Sequence, residues 1–229
     1  MSAGAKVASE RTSNVGSYSP SWVDRLVARL ERLPGPTWFT YLALGGIGLI
    51  VGNAIWWLEG NPGTLDLYWS VFGIFPVIEL ALIRHLDRVA SDALDAFRPL
   101  LDRSEAGFFE LQRRFTSLPA GPTAIFTLLW IGTGFVGDLQ DPAAHRLVGV
   151  EQLSAILILT IELAINGLLG VFALKATRHF LDVARIHREA PRIDLFDPAP
   201  LYAFSRLTSQ TALGILFLLA VFVPSLAPT

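Results

Sequence analysis

Residues 152–174 read QLSAILILTIELAINGLLGVFAL, an apolar run in which Glu162 carries the only charge. A helix rises about 1.5 Å per residue, so about 20 residues cross the ~30 Å hydrocarbon core of a bilayer. Because lipid offers backbone groups no partner and the run lacks period-two alternation, it is predicted to be a helix. Four further runs have the same character, and they predict spans at about 37–58, 66–84, 119–138 and 207–225. The predicted fold class is an all-α, polytopic membrane helix bundle with five transmembrane helices.

The overall composition excludes several classes of protein and site. Hydrophobic residues make up 52% of the chain and charged residues 17%, whereas about a quarter of a typical soluble domain is charged. The absence of cysteine excludes disulfides, thiolate metal sites and cysteine nucleophiles. The net charge of -2 gives no indication of nucleic-acid binding. Residues 1–20 are small and polar without a secretory signal, which predicts a disordered cytoplasmic tail.

The basic residues are segregated to one side of the predicted spans. Every Lys and Arg except Arg146 falls before the first span, between the second and third, or between the fourth and fifth. The opposite side carries Glu59, Asp66, Asp138, Asp141 and Glu151. Because cytoplasmic loops of membrane proteins are enriched in cations, the N-terminus is predicted to be cytoplasmic and the C-terminus outside. The predicted location is the inner or plasma membrane, with the lipid bilayer as the first partner.

Three pairs of short matches indicate an internal duplication. They are LPGPTWFTYL (33–42) with LPAGPTAIFTLL (118–129), IELA (78–81) with IELA (161–164), and RHLDRVA (84–90) with RHFLDVA (178–184). The first predicted repeat covers 21–117 and the second covers 118–196, each with two spans followed by cytoplasmic helix, which in the second runs to about 189. Such copies would be parallel repeats related by an axis along the membrane normal. Residues 197–229 hold the fifth span, either as an odd last helix or as the start of a truncated third repeat.

The cytoplasmic segment between the second and third spans has its own helical pattern. Apolar residues recur every three or four positions over about 86–117, which predicts two amphipathic helices, the second capped by Asp102 or Ser104. This pair could pack on itself, lie on the inner leaflet or dock a partner. Self-packing is preferred because the pair lacks the surplus of cations that interfacial helices usually carry. A protein partner is expected to bind, if at all, through residues 84–118 or 190–206.

The segment before the fifth span reads APRIDLFDPAPLYAF. Asp197 followed by Pro198 fits a helix N-cap with proline at the first helical position. Together with Tyr202 and Arg206, these residues predict an anchored elbow that sets the entry angle of the last helix. A docking strip or a gate is the alternative interpretation.

Glu162 is the main candidate for a functional residue, because ionisable groups inside spans are costly and usually face the bundle interior. Asn166 follows at i+4, so the two side chains share one helix face. Asn53 or Thr160 could supply a polar partner. The functional hypothesis is a proton- or cation-responsive site. The structural hypothesis is a protonated acid that holds helices together by hydrogen bonds.

Two further features concern the first two spans. Glu79 lies five residues before Arg84, near the predicted inner surface, where it could reach water or pair with an arginine. Pro76 is expected to kink the second span and free a carbonyl, which makes it a candidate kink or gate. Gly48 and Gly52 have the small-xxx-small spacing of close helix contact, interpreted as packing within the bundle.

No sequence pattern indicates an enzyme, a metal site or a cofactor. There is no legible serine, histidine and acid arrangement and no phosphate loop of the GxxxxGK type. An enzyme acting on lipid is the weakest alternative. The preferred function is a membrane-embedded sensor, scaffold or assembly subunit, because the first and third spans hold few polar residues. A small transporter or channel with Glu162 and Asn166 lining its path is the alternative, although transport usually requires more polar groups at the midplane.

Overall fold

The structure is a computed structural model that describes residues 19–101, 104–142, 147–189 and 199–225. Within these ranges the chain forms seven α-helices and no β-strand. The helices are α1 (Trp22–Leu30), α2 (Thr37–Leu58), α3 (Leu67–Phe97), α4 (Glu105–Thr116), α5 (Ala120–Gln140), α6 (Gln152–Glu189) and α7 (Ala199–Ser225). A 3-10 turn, Arg98–Leu100, follows α3 directly.

Five of the helices, α2, α3, α5, α6 and α7, are long and apolar enough to cross a membrane. The five apolar helices predicted from the sequence are therefore confirmed. Two of them are longer than a bilayer requires, since α3 has 31 residues and α6 has 38. Both continue as unbroken helix beyond their apolar parts. They do so at the end of the bundle that also holds α1 and α4, which we call the basic end.

The starts of α3 and α4 are set by local side-chain caps. The Asp66 carboxylate accepts a hydrogen bond from the Trp69 backbone N–H at 3.0 Å, and the Ser104 hydroxyl accepts one from the Gly107 N–H at 3.3 Å. Such caps satisfy N–H groups that have no partner in the first helical turn. Of the two caps predicted for the second amphipathic helix, Ser104 is the one observed, and Asp102 lies outside the described residues.

Helix α3 is central in the bundle, because it packs against α2, α6 and α7, whereas α5 packs mainly against α6. The approach of α2 to α3 is very close. A Cβ placed on Gly52 would lie 2.0 Å from the Trp69 carbonyl oxygen, and one on Gly48 would lie 2.3 Å from the Gly73 carbonyl oxygen. The interpretation of Gly48 and Gly52 as a packing motif within the bundle is thereby confirmed.

At the basic end, α4 folds back onto the extension of α3. Buried residues of α3, α4, α6 and α7 form one hydrophobic cluster there, which we call the basic-end cluster: Val89, Ala90, Ala93, Leu94, Phe97, Phe108, Leu111, Phe115, Ile186, Phe204 and Leu207. The rings of Phe97 and Phe204 meet edge to face with centroids 4.8 Å apart. The predicted amphipathic pair thus packs on itself and also on α6 and α7, while Phe109 on the outer face of α4 is 60% exposed.

Helix α1 was not among the predicted elements, although it ties the N-terminal part of the bundle to α5. The Asp24 carboxylate accepts a hydrogen bond from the Leu118 N–H at 3.0 Å, and the Trp22 indole N–H donates to the Thr127 hydroxyl at 3.0 Å. The signal for this helix was the capping box of Ser21 and Asp24. Contacts between residues about 100 positions apart in the sequence therefore fix where α5 begins.

The outward faces of α2 and α5 carry large apolar side chains. Trp38 is 67% exposed, Leu42 64% and Leu128 67%. In the most apolar stretch of α5, only 6% of the residues are buried within the bundle. These two helices therefore form an apolar outer surface, while the buried contacts concentrate on α3 and α6.

Candidate functional site

A cavity of about 450 Å³ lies between α3, α5, α6 and α7. We call it the lateral cleft, because its lining includes exposed apolar residues at the side of the bundle, namely Phe180, Ile215 and Leu219. It forms because α7 packs on α3 but makes few contacts with α6. The gap between α6 and α7 is therefore left unfilled by side chains.

The antiparallel packing of α5 on α6 sets the polar part of the cleft. A Cβ on Gly170 would lie 2.9 Å from the Trp130 Cβ, and a Cβ on Gly134 would lie 2.5 Å from the Asn166 amide nitrogen. Asp138 follows Gly134 by one turn of α5, and Glu162 precedes Asn166 by one turn of α6. Both side chains line the cleft. A side chain at position 134 would have to displace the Asn166 amide from this position.

Asp138 is the residue that the sequence interpretation missed. The sequence pattern places it among the acids of the outer side, at the end of the third predicted span. The structure instead places it inside α5, 9% exposed and facing the same cleft as Glu162. A signal was present in the sequence, since a helix continuing to Gln140 keeps Asp138 on the stripe of Trp130 and Gly134 at four-residue steps.

The electrostatics of the cleft are those of an acidic site in apolar walls. Glu162 is half-buried, and the Asn166 amide donates to the Glu162 backbone carbonyl at 3.0 Å, which fixes the amide against the helix. No Lys, Arg or His occurs among the described residues that line the cleft. The cleft therefore combines the carboxyl side chains of Glu162 and Asp138 with mainly apolar walls.

The remaining wall of the cleft is aromatic and aliphatic. Six aromatic side chains contribute to it: Tyr68, Phe72, Phe75, Trp130, Phe172 and Phe180. Tyr68 and Phe72 stack on each other with centroids 5.8 Å apart. Such a surface can bind apolar groups and can also attract a cation through the faces of the rings.

Glu79 lies in the bundle but does not line the lateral cleft. It follows Phe75 by one turn of α3, on the side towards the basic end, and is 0% exposed. Neither of its carboxyl oxygens has a hydrogen-bond partner among the described residues. The arginine that the sequence offered as a partner, Arg84, pairs instead with Glu31 of the segment after α1. Helix α3 continues through Pro76 without a break.

Asn53 was predicted as a possible polar partner of Glu162, but its hydrogen bonds are made within α2 and to the start of α3. Its amide nitrogen donates to the Ser70 hydroxyl at 2.9 Å and to the Leu49 carbonyl at 3.0 Å. Its amide oxygen accepts from the Asp66 N–H at 3.0 Å. Asn53 thus joins α2 to the first turn of α3.

The other candidate residues also lie away from the cleft. Thr160 is exposed, and its hydroxyl donates to the Ile156 carbonyl of its own helix at 2.7 Å. Tyr202 and Arg206 are exposed on the first turns of α7. The elbow residues Asp197 and Pro198 lie outside the described residues, so the elbow stays a prediction.

A buried ion pair at the basic end was also missed by the sequence interpretation. Lys175 is 1% exposed and pairs with Asp87, which lies beyond the apolar part of α3. The Lys175 ammonium also donates to the Thr116 carbonyl at 3.4 Å. Burial raises the pKa of Asp87 to about 6, while the charge of Lys175 acts in the opposite direction. The pair links the two long helices, α3 and α6.

His179 and its neighbours extend this polar layer. Burial, assisted by the charge of Lys175, lowers the pKa of His179 to about 4. The neutral ring lies 3.3 Å from the Phe115 carbonyl oxygen, while Asp182 accepts from Arg114 at 2.8 Å. The conformation of the RHFLDVA segment is therefore explained by contacts with α4 and the residues after it.

Comparisons with protein-family models, with curated proteins and with solved structures find no match to this chain. Within the described ranges, no three His, Asp or Glu side chains are grouped so that they could hold a metal ion. The lateral cleft is therefore the feature on which a functional proposal can be based.

Proposed function

We propose that this chain is an integral membrane protein that binds a ligand in the lateral cleft and acts as a membrane-embedded sensor. The observation that carries the proposal is the cleft itself. Its volume of about 450 Å³ falls within the roughly 300–1,000 Å³ of typical small-molecule sites. Like those sites, it has mainly apolar walls and a few convergent polar groups, here Glu162, Asn166 and Asp138.

The route from the cleft to the basic end supports a sensor. Helices α6 and α7 both line the cleft and both continue into the basic-end cluster, where Ile186 of α6 and Phe204 and Leu207 of α7 are buried. A ligand that separates α7 from α6 would therefore change the packing of this cluster. Residues 84–118 and 190–206 are the proposed contact segments for a protein partner that responds to this change.

The proposed orientation places the basic end in the cytoplasm of the cell and the whole bundle in its inner or plasma membrane. Two features support it. Nearly all Lys and Arg residues follow the positive-inside pattern, and the exposed apolar faces of α2 and α5 suit hydrocarbon better than water. The N-terminus is then cytoplasmic and the last helix leads outside.

An internal duplication is part of the proposal. Arg84 pairs with Glu31, which precedes the first apolar helix, and Arg178 donates to the carbonyls of Arg114 and Ser117, which precede the third. In both cases an RH motif reaches back to the segment before its own pair of helices. This parallel supports two related units, 21–117 and 118–196, followed by α7.

The absence of cysteine allows a direct test of binding in the cleft. A single cysteine introduced by Leu219→Cys lies at the cleft, whereas one introduced by Leu129→Cys lies on the outward face of α5. The reconstituted full chain is treated with a lipid-soluble maleimide, with and without dodecanol or dodecyltrimethylammonium. We expect one or both compounds to slow labelling at position 219 and to leave position 129 unchanged. Equal rates at both positions with every compound would refute the proposal.

A small transporter or channel is the second candidate, favoured by Glu79. This carboxyl lies between the cleft and the basic end along α3 and is fully buried. In proteoliposomes, a transporter should give a proton or cation flux that Glu162→Gln abolishes. An intact protein without flux, in which Glu162→Gln changes only ligand binding, would instead support the sensor.

A further inference from the structure

We propose that Glu79 is a proton-binding site, placed in the partition between two cavities and loaded with its proton from the basic end. This inference goes beyond the proposed function, because it requires no ligand in the lateral cleft. It is carried by the position of one fully buried carboxyl side chain on α3 relative to a cavity on either side of it.

The partition is a single face of α3. A second cavity, of about 620 Å³, lies at the basic end between α1, α3 and α4, and we call it the basic-end groove. Ile83 lines this groove, and Phe75 lines the lateral cleft. Phe75, Glu79 and Ile83 follow one another at four-residue steps, so they lie along one face of the helix. Glu79 therefore occupies the middle of the wall between the two cavities.

The surroundings of Glu79 require a neutral side chain in this conformation. The residue is 0% exposed, and neither carboxyl oxygen has a hydrogen-bond partner among the described residues. An ionised carboxylate in such a place would need a cation or several donors, because moving a bare charge out of water is very unfavourable. A bound proton removes this charge, so Glu79 holds a proton while the bundle is closed.

The ionisable groups on the helices that pack around the middle of α3 do not take the place of this proton. None of them is hydrogen-bonded to Glu79. The nearby cations are directed elsewhere, since Arg84 pairs with Glu31 and Lys175 pairs with Asp87. From the apolar parts to the basic end these groups are Tyr41 on α2, Arg84 and Asp87 on α3, and Glu162, Lys175 and His179 on α6, while residues 207–225 of α7 contain none.

The basic-end groove is the side from which the proton is exchanged. Its lining includes the polar side chains of Ser91, Gln112 and Thr116, whereas the walls of the lateral cleft are mainly apolar. Water in the groove can therefore approach Ile83, which follows Glu79 by one turn of α3. Ile83 is 1% exposed, so its side chain is the barrier between this water and the carboxyl group.

This arrangement links the packing of Ile83 to the pH at the basic end. Any motion that lets water from the groove reach Glu79 allows the carboxyl group to ionise and to release its proton. Above the usual titration range of glutamate, each pH unit makes such an opening about tenfold more favourable. Acidification therefore favours the closed bundle, and a rise in pH favours the open one.

The first measurement tests the proton itself, by the infrared difference spectrum between the unmodified full chain and Glu79→Gln at pH 8. Nanodiscs of ether-linked phosphatidylcholine are used, because this lipid has no ester carbonyl. We expect the carbonyl stretch of a protonated carboxyl group in the unmodified chain and its loss in the variant. The control Glu110→Gln, at an exposed acid of α4, should leave this band unchanged. Bands of an ionised carboxylate at Glu79 would overturn the inference. If Glu79→Gln does not fold, Glu79→Met gives the same comparison.

The second measurement tests the route, by the rate at which the carboxyl band shifts after transfer to heavy water. Ile83→Ala removes most of the barrier and should speed this exchange at least about tenfold. Phe75→Ala, at a buried position one turn away on the side of the lateral cleft, is the matched control and should exchange as the unmodified chain does. Equal effects of the two variants, or faster exchange in Phe75→Ala alone, would overturn the assigned route. If Ile83→Ala does not fold, Ile83→Val should show a smaller change in the same direction. Neither measurement involves a ligand, so this inference and the proposed function can fail separately.

Discussion

The close contact between α2 and α3 gives the sharpest prediction about stability, tested by Gly73→Ala. A Cβ on Gly73 would lie 2.0 Å from the Gly48 carbonyl oxygen, 2.9 Å from the Gly48 carbonyl carbon and 3.0 Å from the Gly52 nitrogen. All three are backbone atoms, so no flexible side chain can move aside. The methyl group can be accommodated only if the two helices separate.

The size of the effect follows from this geometry. Ordinary van der Waals contact begins near 3.4 Å, so the helices must move apart by more than about 1 Å at Gly73. Overpacking of a tight core costs about 1–3 kcal/mol. Separation also strains the hydrogen bonds of Asn53 to the start of α3. We therefore expect Gly73→Ala to lower the free energy of unfolding by about 3 kcal/mol, the upper end of that range.

The matched control is Gly46→Ala in α2, where a Cβ would meet no atom within 4 Å. Since alanine favours helix over glycine by up to about 1 kcal/mol, this variant should be neutral or slightly stabilised. The assay is reversible unfolding in mixed micelles with increasing sodium dodecyl sulfate, followed by circular dichroism. If Gly73→Ala unfolds at the same detergent fraction as Gly46→Ala, the close contact of α2 and α3 is incorrect.

Two further changes test the buried polar contacts. Lys175→Met leaves Asp87 buried without its partner and is expected to destabilise the bundle by about 3–5 kcal/mol. This loss of stability should be smaller at pH 5 than at pH 8, because protonation of Asp87 removes the unpaired charge. Combining Lys175→Met with Asp87→Leu should recover most of the lost stability. A double variant as unstable as Lys175→Met alone would contradict the pairing. Asn53→Leu removes hydrogen bonds to Ser70 and Asp66 and should lower the free energy of unfolding by about 2 kcal/mol. Binding of dodecyltrimethylammonium in the lateral cleft should not change. A selective loss of this binding would show that Asn53 contributes to the cleft.

The five apolar helices and their approximate limits could be predicted because they depend on local properties. An uninterrupted apolar run of sufficient length has few alternatives to a spanning helix. The contact role of Gly48 and Gly52 was also legible, since small residues four apart on an apolar helix suit close packing. Likewise Ser104 was recognisable as a cap, because a cap acts within its own turn.

The composition of the site could not be predicted in the same way. Glu162 and Asn166 lie one turn apart, so their shared face followed from helical periodicity. Asp138 joins them only because α5 crosses α6 at Gly134 and Gly170. The position of that crossing depends on how the two helices pack against each other. It cannot be inferred from the hydropathy of either helix alone.

What the sequence alone determined is therefore the number of apolar helices, their lengths and the segregation of charge along the chain, because each depends on neighbouring residues and on the solvent. The tertiary structure decided which of the buried polar groups meet. In the structure, Asn53 forms a hydrogen bond at the start of α3, and Lys175 pairs with Asp87. Glu79 has no hydrogen-bond partner among the described residues. The physical reason is that these pairings are set by helix crossings and by the close contacts of glycines, which bring together residues distant in the chain.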